Sequence, residues 1–135
     1  MGASAAVRES YELLSAVGRR LALACSEGGR ISRVHLEGRQ PEAYALARNL
    51  ARLRAAEAMI AWAEGAGEFE QAISATWCAH ACAELLGWID LRLDLDYQAG
   101  EPITLSAQSK SFIRGALRGP TLVKLGLEIQ ERSGA

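Results

Sequence analysis

Cysteine is scarce: three residues in 135, at Cys25, Cys78 and Cys82. They cannot pair completely, and two of them lie four apart in a helical pattern. That reads as a reduced intracellular set and excludes a secreted disulfide framework. Proline is equally scarce, at three residues; Pro41, Pro102 and Pro120 all fall where a helix starts or stops. Aromatic residues make up 6%. An excess of one charge is also missing. The 15 basic residues face 16 acidic ones, a formal net charge of −1, which excludes a general nucleic-acid binder. No apolar run approaches the roughly 20 residues of a membrane span. The opening MGASAAVRES lacks a signal peptide's continuous apolar core, and Ala6 stands where a myristoylation motif needs Ser or Thr. The expected compartment is the cytoplasm.

What is present is apolar and helix-forming. Half of the residues are hydrophobic, mostly Ala and Leu, which helices favour. The length suits a single domain over residues 1–135 and leaves no room for two cores. Val7, Tyr11, Leu14, Val17, Leu21 and Cys25 recur at spacings of three and four, so a helix is expected from about Ser4 to Glu27, closed by Gly28 and Gly29. A polar connection, Arg30 to Gln40, follows. Pro41 and Glu42 suit the start of a second helix, which runs to Glu64. Its expected apolar line is Leu46, Leu50, Leu53 and Ile60, with Ala43, Ala47 and Ala61 beside it. A third helix starts near Glu68, with Phe69, Ile73, Trp77 and Leu85 at helical spacing. From Ile89 to Tyr97 apolar and charged residues alternate, which is the strand template. Asp is a poor strand former and no breaker intervenes, so the run is read as continuing the helix. Ser106 is an N-cap candidate for a fourth helix, and Gly119-Pro120 separates it from a fifth over Thr121 to Arg132. The expected fold is all-α: an up-down four-helix bundle with a short extra C-terminal helix.

Candidate chemistry is sparse. Cys78 and Cys82 share a helix face while His80 lies about 200° round from Cys78, so one helix cannot aim all three at a metal. They read as structural cysteines. Neither His35 nor His80 has a Glu three residues before it, against a di-iron bundle. His80 and Glu84 have the spacing of an acid–base pair, or of an ordinary helix-surface pair. Glu84, Asp90, Asp94, Asp96 and Glu101 form an acidic run broken only by Arg92; it suits a cation, an Arg-rich partner or plain water. Arg30, Arg33 and Arg39 sit in the first long connection, and Arg suits phosphate or carboxylate recognition. Trp62, Trp77 and Trp88 read as core or interface anchors. No phosphate loop or catalytic triad order is present.

The element order Ala5–Glu27, Arg30–Gln40, Pro41–Glu64, Phe69–Asp96 and Ser106–Arg132 runs as long helix, Arg-containing connection, two long helices, then two shorter ones. With RNLARLRAAEAMIAWAEGAG and RGPTLVKLGLEIQ, it resembles the C-terminal helical domain of acyl-CoA dehydrogenases. Ile31-Ser32-Arg33 stands where that family has the Arg-x-x-Phe-Gly element that touches flavin. Arg118 stands where many members have the catalytic Glu. The resemblance therefore implies a lone helical domain without the base, an accessory subunit of a flavin-dependent oxidoreductase. Arg30 and Arg33 would then hold the phosphates of FAD or CoA, with acyl-CoA as a ligand.

Three functional readings follow. The first is a non-catalytic bundle that self-associates or docks on a protein partner through Trp88, Leu91, Leu95 and Leu122, since leucine faces several sides of residues 89–97. The second is the acyl-CoA dehydrogenase-like accessory subunit. The third is a carrier of a small apolar ligand in the bundle core. No nucleic-acid or membrane partner is expected, and no catalytic residue is assigned.

Overall fold

The computed structural model describes residues 2–91 and 104–134. In chain order the elements are α1 (Gly2–Ala24), β1 (Ser26–Glu27), β2 (Arg30–Ile31), α2 (Arg33–Glu37), α3 (Gln40–Ala63), α4 (Glu68–Leu91), α5 (Ala107–Ala116) and α6 (Gly119–Ser133). The described residues are all-α apart from the two short strands. Among the described residues no helix is long and apolar enough to cross a membrane. The alternating run is helical as far as Leu91; Leu95 and the rest of it lie outside the described residues.

Local chemistry accounts for the boundaries. α1 ends at Ala24, three residues before the sequence pattern suggested. Gly28 and Gly29 both have positive φ, +59° and +80°. They form the two-residue turn of an antiparallel hairpin, Ser26 opposite Ile31 and Glu27 opposite Arg30, not a helix cap. α2 begins behind Ser32, whose hydroxyl accepts from the His35 backbone. Pro41 lies in the first turn of α3 and Pro120 in that of α6, where a missing N–H costs nothing. Ser106 caps α5 as expected, accepting from the Ser109 N–H at 3.1 Å. Three helices are long, at 23, 24 and 24 residues, but α5 has only 10.

α1, α3 and α4 pack on one another, α5 lies against α1 and α4, and α6 lies against α4 and α5. Tyr11 reaches Glu57 and Gly18 lies under Leu46, so α1 and α3 run antiparallel. Arg52 reaches Glu84 and Cys78 meets Ala56, so α3 and α4 do too. One hydrophobic core joins Val7, Leu14, Val17 and Leu21 of α1, Leu53 and Ala56 of α3, Cys78, Cys82, Leu85 and Ile89 of α4, and Ile113 of α5.

Two of the expected stripes are displaced. On α3 the buried line is Ala45, Asn49, Leu53, Ala56 and Ala63, while Leu50 is exposed. On α4 it passes through Ser74, Cys78, Ala81, Cys82, Leu85 and Ile89, while Trp77 is exposed. Small residues win both faces because they allow the two helix backbones to approach closely; larger apolar side chains fit at the margins.

Candidate functional site

The α3–α4 contact opens on one side into a groove of about 370 Å³. α3 contributes Pro41, Glu42, Ala45, Arg48, Asn49 and Arg52; α4 contributes Ala83, Glu84, Gly87 and Trp88. Positions 41, 45, 48, 49 and 52 recur at three and four, so one helix face supplies that whole wall. Two ion pairs edge it. Arg52 meets Glu84 at 3.2 Å across the helices, and Arg39 meets Glu42 at 3.4 Å. Asn49 is 2% exposed. Its Nδ2 donates to the Ala45 carbonyl at 2.9 Å, and its Oδ1 is buried without a partner. Half-buried Trp88 also packs against the core cluster.

A second, wider groove of about 700 Å³ separates α1 from α3. The Tyr11 hydroxyl donates to Glu57 at 3.0 Å. Arg54 lies over the Tyr11 ring, 5.3 Å from its centroid, and pairs with the same carboxylate at 3.2 Å. Burial, then the Glu57 hydrogen bond and charge, push the Tyr11 phenol above its ordinary range. It is a held, protonated group and not a nucleophile.

A third junction ties α5 to α1. The Glu9 carboxylate accepts from the Ser106 N–H at 3.0 Å and from the Ser106 hydroxyl at 2.9 Å. Burial pushes the Glu9 carboxyl up, but the two Ser106 hydrogen bonds, helped by Ser109 and Arg8, outweigh it and hold it below its ordinary value.

The residues singled out from sequence fall in separate places. Arg30 is exposed on β2. Arg33 is exposed at the start of α2 and bridges to Glu37 at 2.8 Å. Trp88 lines the α3–α4 groove, whereas Leu122 lies on α6. Leu91 closes α4, and Leu95 lies outside the described residues. His80 is exposed, and Glu84 takes Arg52, not His80, as its partner. Asp90 is exposed, and Asp94, Asp96 and Glu101 of the acidic run lie outside the described residues. All three cysteines are free and buried. The Cys78 thiol donates to the Ala56 carbonyl at 3.5 Å, and burial pushes it up to about 11. Burial likewise raises Cys82. Both are poor nucleophiles at neutral pH. Among the described residues no three His, Cys, Asp or Glu side chains gather in one place.

Sequence reasoning missed Asn49. Its signal was available: a lone amide at 45-49-53-56, a spacing that places it on the alanine-rich face of α3. The outward face of α6 was also missed. Leu125 is the one buried residue of this helix. Val123 and Leu127 stand about 200° round from it and are 63% and 56% exposed. Leu122 and Ile129, on its flank, are exposed as well. Comparison with protein-family models, with curated proteins and with solved structures finds no match.

Proposed function

We propose that this chain is an up-down bundle of α1, α3, α4 and α5 that works by self-association, with α6 as the contact element between two copies. The observation that carries the reading is the apolar outward strip of α6, Val123 and Leu127, with Leu122 and Ile129 also exposed nearer the buried side. A helix that is apolar on both sides is ordinarily buried on both sides. One side is occupied: buried Leu125 lines a cleft with Ala72, Ala75 and Thr76 of α4, and Arg132 lies over the Phe69 ring, 4.0 Å from its centroid. The charges favour a second copy as the other occupant. Lys124 and Glu131, seven residues apart, flank the same side of the strip. In an antiparallel pairing centred near Leu127, each Lys124 meets the other copy's Glu131. Gly126, around which a Cβ would meet nothing within 4 Å, leaves room for close approach.

Light scattering on a size-exclusion column tests this. The wild type is expected to run as a dimer, and Leu127→Glu as a folded monomer by circular dichroism. A wild type that stays monomeric at high micromolar concentration overturns the reading. An accessory role beside a flavin-dependent acyl-CoA dehydrogenase is the second reading. It draws on Arg30, which has no ion-pair partner among the described residues and is exposed. A rise in melting temperature with CoA or FAD, lost in Arg30→Ala, is the result that would favour it.

A further inference from the structure

We propose that the groove between α3 and α4 binds a small, flat carboxylate that also carries an N–H or O–H donor. The inference is independent of how α6 is used. It starts from Asn49. With Nδ2 spent on the Ala45 carbonyl, the amide orientation is set: turning it over would place oxygen against oxygen. The atom left is Oδ1, an acceptor, buried and unpaired in a residue that lines the groove. A buried acceptor without a donor is a standing cost of folding, and a ligand that brings a donor removes it.

The charges give the second element. Of the ionised groups that line the groove, Glu84 is paired with Arg52 and Glu42 with Arg39. Arg48 lines it with no ion-pair partner among the described residues. The uncompensated charge is therefore a cation, and a guanidinium suits a carboxylate through paired N–H donors. Trp88 supplies the third element, an aromatic surface beside Ala45, Ala83 and Gly87. The groove thus sets one aromatic and small-residue surface beside a polar lining, in which Asn49 Oδ1 and Arg48 are the groups that no side chain among the described residues satisfies.

The probe is 4-hydroxybenzoate, which carries the acid, the flat ring and the donor. Heteronuclear NMR follows the Asn49 side-chain amide and the Trp88 indole. Saturable shifts at both are expected, with a dissociation constant of roughly 1 mM for so small a molecule. Benzoate lacks the donor and 4-hydroxybenzyl alcohol lacks the charge; each is expected to bind about tenfold more weakly. Arg48→Ala is expected to weaken 4-hydroxybenzoate by about the same factor. Gly87→Leu is the blocking variant. A Cβ at Gly87 meets nothing within 4 Å, so the added side chain starts into open space on the groove lining, and an unchanged melting curve is the control that separates blockage from misfolding. No saturable shift up to about 10 mM overturns the proposal and leaves water as the partner of Asn49 Oδ1. Equal binding of benzoate and 4-hydroxybenzoate overturns it too.

Discussion

Along the α3–α4 contact the buried positions are mostly small: Ala45, Ala56 and Ala63 on one helix, Ser74, Cys78, Ala81 and Cys82 on the other, with Leu53 and Leu85 between them. Along α6 the proportions reverse. Five large apolar residues occupy little more than two turns, and Leu125 alone is buried. Apolarity therefore does not decide which helix lies inside. What decides is whether two backbones can approach closely enough to shut out water, and small side chains achieve that over a long contact. α6 arrives last, on the outer side of α4 and α5, where one face is covered and the other is exposed.

The largest expected effect sets these two regions against each other directly. Leu85 is wholly buried in the core cluster, whereas Leu125 is buried at the edge. Leu85→Ala leaves a cavity that tightly packed neighbours cannot close, at a cost of about 2–5 kcal/mol. Leu125→Ala opens a space that reaches solvent and can partly collapse, so its cost falls at or below the bottom of that range, roughly 1–2 kcal/mol. Urea denaturation of both variants measures the difference. Equal losses would break the contrast, since α6 would then be as integral as α4.

That contrast also explains what could be read from the residues in advance. The α1 stripe Val7, Leu14, Val17 and Leu21 is buried as its spacing suggests, because large apolar residues at helical period leave one choice of face. Ser106 as N-cap, Gly119-Pro120 as a break and Glu68 as a helix start were likewise legible, each resting on chemistry within a few residues. The faces of α3 and α4 were not. Leu50 and Trp77 outweigh Ala45, Ser74 and Cys78 on any scale of apolarity, yet lie exposed. Their placement depends on the shape of a neighbouring helix, which local periodicity does not carry. Asn49 was invisible for the same reason: its burial is a property of the pair of helices, not of its own segment. The hairpin was concealed because Gly28-Gly29 serves equally well as a helix stop and as a two-residue turn.

A junction of intermediate strength joins the two regions. α5 is tied to α1 through Glu9 and the Ser106 cap. Ser106→Ala removes an N-cap and a partner of Glu9, and is expected to cost about 1 kcal/mol. Glu9→Gln tests the charge. Glu9 has a lowered pKa in the folded chain, so its contribution is complete above the ordinary carboxylate range. It is lost as pH falls through the lowered value, where the folded state must take up its proton. Urea midpoints of wild type and Glu9→Gln are therefore expected to differ at neutral pH and to converge in acid. A gap that stays constant with pH would show that the carboxylate's charge contributes nothing there, and would place α5 with α6 as a loosely held element.

The smallest expected effect on the single chain comes from Leu127→Glu. Leu127 is more than half exposed and stands opposite the buried Leu125. Replacing it removes little packing within one copy, so unfolding at a concentration where copies are separate is expected to change by less than about 0.5 kcal/mol. The same substitution places two carboxylates near the centre of the paired strip and is expected to abolish association. Mass action then gives a sharp signature. The wild-type melting temperature rises with protein concentration, while that of Leu127→Glu does not, and the two curves meet on dilution. If they stay apart at every concentration, Leu127 contributes within its own chain. The outward face of α6 would then belong to the same fold that buries Leu85, and the difference between the two regions would be one of degree.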